Sequence, residues 1–150
     1  IGLGIPAEPL FRSRDMKERI VLDTNCLVQI VAKQAQYGFV WDDILDGRII
    51  LCVTTEILFE YEEILTKFYG HNVARMVVDM ILILPQTEKY DIYYHWSLIV
   101  DDKDDDKFVD CAFISGAKYL VSNDKHFNVL ANIPFPKIVV LKLADFAERL

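Results

Sequence analysis

A chain of 150 residues is long enough for one domain with a buried core and too short for two. Its 53% apolar and 26% charged residues exclude a disordered polymer, and no apolar run approaches the roughly 20 residues that cross a bilayer. The net charge of −7 argues against a protein that grips nucleic acid with a broadly basic surface, though not against nucleic-acid chemistry at one local site.

Residues 1–15 carry no periodicity, and Gly2, Gly4, Pro6 and Pro9 break any regular element. They are expected to be a tag or appended arm ahead of a native start at Met16. Ile20-Val21-Leu22 then reads as a short buried strand that ends abruptly in Asp23-Thr24-Asn25. Leu27, Ile30, Val31 and Ala35 follow at helical spacing, and a second helix near Val40 to Leu45 stops at Asp46-Gly47. Ile49 to Val53 is the next strand. Thr54-Thr55 offers an N-cap to a helix whose apolar stripe is Ile57, Leu58, Tyr61, Ile64, Leu65 and Phe68, closed by Gly70. Another helix runs from about Asn72 to Leu84 and is halted by Pro85. The aromatics Tyr90, Tyr93, Tyr94 and Trp96 suit a short helix or irregular packing, followed by a weak strand at Leu98 to Val100. The acidic run Asp101 to Asp106 opens a helix carried by Phe108, Val109, Ala112 and Phe113 and ended by Gly116. Tyr119 to Val121 is a strand closed by Ser122-Asn123-Asp124. A short helix, a Pro134–Pro136 turn, a strand at Ile138 to Leu141 and an amphipathic helix complete the chain. Continuous apolar strands alternating with helices imply an α/β domain, three-layer α/β/α, with a parallel sheet of about four to five strands. The cysteines Cys26, Cys52 and Cys111 lie among apolar neighbours. They read as reduced thiols of a cytoplasmic protein, and no secretion signal contradicts this.

Ligands of open parallel sheets bind outside the carboxyl ends of the strands. Asp23 and Asp124 stand there, each interrupting an apolar run at its end. Glu60, in the helix that starts at the second strand's end, can reach the same rim. So can one of Asp104, Asp105 and Asp106; Asp105 is the best inward candidate because Phe108, Val109 and Ala112 follow it at helical spacing. Gathering carboxylates in one pocket is unfavourable unless something neutralises them. A hard divalent cation does so, and oxygen ligands favour Mg²⁺ or Mn²⁺ over zinc. Such an ion suits phosphodiester cleavage, because it activates water, orients the phosphate and neutralises the departing oxygen.

These residues resemble the motifs of PIN domains. Ile20 to Asn25 is similar to the first motif, and Thr54 to Tyr61 to the second, whose glutamate falls on Glu60. Asp104 to Ala112 is similar to the third, best matched at Asp105, and Gly116 to Asp124 to the fourth, matching Ser122 and Asp124. The resemblance covers residues 16–150 as one nuclease domain and is closest to the VapC-like toxin components of bacterial toxin–antitoxin pairs. It implies a Mg²⁺- or Mn²⁺-dependent ribonuclease acting on single-stranded RNA, leaving 5′-phosphate and 3′-hydroxyl ends and inhibited by a small antitoxin protein. On this reading Asp23, Asp105 and Asp124 hold the metal and Glu60 completes the carboxylate shell. The third motif is unusually rich in Asp and lacks the Pro and Asn often found there, which leaves Asp104 and Asp106 open beside Asp105. Ser122 stands where threonine is more usual and keeps the hydroxyl.

Read singly, Asp23 is a helix N-cap, Glu60 an exposed helical acid, and Asp101 to Asp106 a solvated run favoured by the helix dipole. Thr24 and Asn25 either orient Asp23 and its metal or simply cap the helix, and Asp110 is open between site and surface. His71, His95 and His126 pair with no nucleophile and are expected at the surface or in caps. Lys107 and Lys125 adjoin the acidic positions and either touch phosphate or balance charge. An acidic chain with few cations near its site has reason to form a homodimer that builds a positive groove. The rival function is a non-catalytic α/β metal-binding or protein-interaction module, either receiver-like or a degenerate PIN relative. A receiver needs an acid pair after its first strand and an acceptor Asp after a central one. Here the first strand ends in a single Asp23, and Cys52-Val53-Thr54 offers no acceptor.

Overall fold

A computed structural model describes residues 17–150. The arm expected over residues 1–15 and the start expected at Met16 lie outside the described residues. In β1 (Glu18–Leu22) the side chains of Ile20, Val21 and Leu22 are wholly buried. Successive strand side chains point to opposite faces, so a strand buried at consecutive positions has both faces covered. The same holds for Leu51, Cys52 and Val53 of β2 (Ile49–Val53) and for β4 (Tyr119–Val121). Short edge strands β3 (Glu88–Lys89) and β5 (Val140–Leu141) complete a parallel sheet of order β3-β2-β1-β4-β5.

Helices α1 (Thr24–Val31) and α2 (Gly38–Leu45) join β1 to β2, and α3 (Thr55–Tyr69) and α4 (His71–Ile83) join β2 to β3. The chain then crosses back over β1 through α5 (Asp106–Ser115) to reach β4, and α6 (Leu143–Glu148) follows β5. Right-handed crossovers that run outward and then return place α1–α4 and α5 on opposite faces. The expected three layers result. The strand order also separates this fold from the receiver-like alternative, whose flavodoxin-type order is 2-1-3-4-5. No helix among the described residues is long and apolar enough to cross a membrane.

Local chemistry sets the helix ends where the sequence places them. Thr54 accepts a bond from the Ile57 N–H at 3.2 Å, capping α3. Gly116 closes α5 with φ of 64°, a left-handed turn that costs glycine nothing. The region between α4 and α5 departs from expectation. No strand forms at Leu98–Val100, because side chains of α5 take the backbone donors there. Asp106 Oδ1 accepts the Ile99 N–H at 2.8 Å, and Asp110 Oδ1 accepts the Trp96 N–H at 3.0 Å. The edge position beside β2 goes instead to Glu88–Lys89, held by a paired bond from Arg19 to the Glu88 carboxylate at 2.7 and 3.1 Å. The last strand is shorter than the Ile138–Leu141 run suggests.

Tyr61 shows how the core supports the rim of the sheet. Its ring is fully buried, and its hydroxyl donates to the Leu22 carbonyl, the last residue of β1. Tyr61→Phe is expected to cost about 1 kcal/mol through this bond alone. A lower urea midpoint at unchanged slope would report it.

Candidate functional site

The chain leaves β1 toward one edge of the sheet and β4 toward the other, so these neighbours form the switch point where such sheets bind ligands. The parallel register pairs Leu22 with Val121, which makes Asp23 and Ser122 leave the sheet side by side. Asp23 N–H donates to the Val121 carbonyl at 3.0 Å, the Ser122 hydroxyl donates to Asp23 Oδ2 at 2.6 Å, and Asp124 N–H donates to Ser122 Oγ at 3.0 Å. Asp23 stands at the start of α1, yet its side chain makes no capping bond to the helix. It is 6% exposed, and burial pushes its carboxyl above the usual range. The Ser122 hydroxyl and the Thr24 N–H pull it back down, while the charges of Glu60 and Asp124 add repulsion.

Asp105 arrives from the other side, at the junction of a 3-10 turn (Lys103–Asp105) with α5. Burial, with the neighbouring charge of Asp102, pushes its carboxyl up to about 6. His126 partly offsets this, and Asp124 and Asp23 add to it. His126 Nδ1 lies 3.3 Å from Asp105 Oδ2 and 3.5 Å from Asp124 Oδ1, bridging the two acids. The turn is fixed by Asp124 itself, whose Oδ1 accepts the His126 N–H at 2.9 Å.

Glu60 completes the group from α3. The Thr24 hydroxyl donates to its Oε2, and Lys107 Nζ sits 2.9 Å from its Oε1. Asn25 lines a cleft of about 370 Å³ with Asp23, Phe68, Asn123 and Asp124. Asp104 and Asp106 are placed differently from Asp105. Asp104 is exposed, and its carbonyl accepts from Lys107 Nζ at 2.6 Å, whereas the Asp106 carboxylate is spent on Ile99. Asp110, buried to 3%, holds Trp96 and faces His95 at 3.1 Å, a structural position.

Asp23, Glu60, Asp105 and Asp124 lie along one rim; His126 and Asp102 join them without being expected there, and Lys107, expected either to touch phosphate or to balance charge, pairs with Glu60. The signal for His126 was its spacing. An Asp at the end of a strand bonds the N–H two residues on, which turns residue 126 back toward the aspartates.

The donors are nearly all carboxylate oxygens, and two of these carboxyls are disfavoured as anions by burial and one another. A hard divalent cation fits that chemistry. Among the described residues, Asp102, Asp105 and His126 offer ligand atoms within 4.8 Å of one another; Asp23 and Asp124 stand outside that triple.

No curated protein matches the chain in sequence. A family model described as PIN domain matches residues 19–126. Among solved structures, VapBC2 from Rickettsia felis bound to a DNA fragment from their promoter is similar over 83% of this chain and 98% of its own, at 17% identity and a TM-score of 0.55. DNA-bound VapBC from Salmonella typhimurium is similar over 85% of this chain and 98% of its own, at 16% identity and a TM-score of 0.50. At these identities the likeness is one of fold.

Proposed function

The chain belongs to the PIN-domain family, and from that premise we propose that it is a Mg²⁺- or Mn²⁺-dependent endoribonuclease of single-stranded RNA, the cytoplasmic toxin of a toxin–antitoxin pair. What supports this reading is that Asp23 and Asp124 follow the neighbouring strands β1 and β4, while His126 bridges Asp124 to the raised Asp105 and Glu60 adds its charge beside Asp23. Asp23, Asp105 and Asp124 hold the ion. When bound, it neutralises the carboxylates and the phosphate and supplies a nucleophile at neutral pH. The Ser122 hydroxyl favours the ionised form of Asp23 and aims it, as its 2.6 Å bond supports. Thr24 and Lys107 fix the Glu60 carboxylate from opposite oxygens. Asn25, on the cleft wall beside Asp23, helps to orient Asp23 and its ion. An acidic chain works on a polyanion here because the local field belongs to the ion rather than to the net charge. The two structures named above are VapBC assemblies on DNA, which supports a cognate antitoxin as partner.

Labelled single-stranded RNA incubated with the purified chain and Mn²⁺ tests the reading. Products carrying 5′-phosphate and 3′-hydroxyl ends, lost with excess EDTA, are expected. Undiminished cleavage in EDTA, or none with either metal, overturns it. Ser122→Ala removes the donor that orients Asp23, and the expected result is a roughly 10-fold loss of cleavage rate, the scale of a supporting partner rather than a ligand. Restoration by Ser122→Thr, which returns the hydroxyl, separates that role from simple misfolding.

A further inference from the structure

Beside the carboxylates, on the β5 side of the sheet, lies a second cleft of about 500 Å³. Asn123 and Asp124 border both this cleft and the one that holds Asp23, so the two adjoin along one rim. Three lysines line it, each from a different segment. Lys125 opens the 3-10 segment after β4, Lys137 precedes β5, and Lys142 follows it. Asn123 ties these walls together, its Oδ1 accepting the Leu143 N–H at 3.0 Å.

Position sets the grouping apart. Lys125, Lys137 and Lys142 form no ion pair among the described residues, which is also true of Lys17, Lys33, Lys89, Lys103 and Arg149, but these three line one cleft. The acids on this cleft are Asp124, which belongs to the site, and Asp145. A chain of net charge −7 thus places three lysines, unpaired among the described residues, on one cleft beside its proposed cutting site. Lysines converging from separate segments without carboxylate partners suit several phosphates in a row better than one small anion.

We infer that the Lys125–Lys137–Lys142 cleft is the backbone-binding subsite of a single-stranded polynucleotide, holding the phosphates next to the one presented to Asp23 and Asp124. The inference rests on the nuclease reading above.

The test is the salt dependence of binding, measured by anisotropy of a labelled 20-nucleotide single-stranded RNA without divalent ions, so that the strand stays intact. For single strands, log Kobs falls with log[KCl] by about 0.7 for each phosphate neutralised. The triple variant Lys125→Ala, Lys137→Ala, Lys142→Ala is expected to have a slope shallower than wild type by roughly 2, and each single variant by about 0.7. Lys33→Ala, beyond the end of α1 away from Asp23, keeps the wild-type slope. The lysines are exposed, so circular dichroism of the variants is expected to match wild type. A triple variant with the wild-type slope, or a wild-type chain that does not bind the strand, overturns the subsite. Failure of the nuclease reading shows separately, as a wild-type chain that binds the strand with the predicted lysine dependence yet cuts nothing with Mg²⁺ or Mn²⁺.

Discussion

Asp23→Asn is expected to lower cleavage of single-stranded RNA by about 10²- to 10³-fold while leaving the thermal midpoint unchanged or higher. The loss follows from removing a charge from the point where the ion and the scissile phosphate meet, and single preorganised electrostatic groups are worth roughly 10²–10³ in rate. The stability side follows from burial. Asp23 is 6% exposed, and its anion is disfavoured by desolvation and by Glu60 and Asp124. Asparagine keeps the shape, can still accept the Ser122 hydroxyl, and removes the buried charge. Steady-state cleavage and a melting curve on the same preparation check both halves. Full activity in the variant would remove Asp23 from the chemistry. A midpoint lowered by several degrees would make its role structural and undo the reading of the site.

Asp23 and Asp124 are legible because parallel strands buried on both faces have few ways to end, and an acid directly after such a strand, as Asp23 is, or three residues on, as Asp124 is, stands on the rim. Helical spacing separated Asp105 from its neighbours: Asp104 is exposed, and Asp106 is turned to the 90–100 segment. The same segment shows where the sequence misleads. Leu98-Ile99-Val100 has the composition of a strand, but Ile99 gives its N–H to Asp106, and that preference for a carboxylate over a ladder carries no periodic signature. His126 carries no site signal for a related reason. Its partner Asp105 lies on another element, and the approach of elements far apart in sequence is fixed by packing rather than by local pattern; the same packing pairs Lys107, open in the sequence between phosphate and charge balance, with Glu60. Motif spacing identifies which acids meet; the groups that bridge and neutralise them emerge only with the fold.

Mg²⁺ or Mn²⁺ is expected to raise the thermal midpoint, and by more at pH 7.5 than at pH 5. Without metal, the Asp105 carboxyl titrates at about 6 in the folded chain, against about 4 for an unfolded aspartate. Between those values the folded state binds a proton that the unfolded state has lost. Metal-free stability therefore falls as pH rises through the window from about 4 to 6 and levels off above it. Asp23, raised in the same direction, adds to the fall. A cation needs these carboxylates ionised, so at pH 5 it competes with the proton on Asp105, and at pH 7.5 it does not. At 100 times its Kd a ligand stabilises by about 2.7 kcal/mol, which for a domain of this size corresponds to roughly 5–10 °C. Differential scanning calorimetry with MgCl₂ or EDTA at the two pH values reads the effect without any RNA. Asp105→Asn is expected to flatten the metal-free pH dependence and to abolish most of the metal-induced rise, whereas Asp104→Asn leaves both as in wild type. An equal metal shift in the Asp105 and Asp104 variants would move the site off Asp105. A wild-type midpoint indifferent to both ions would deny the cluster a metal altogether.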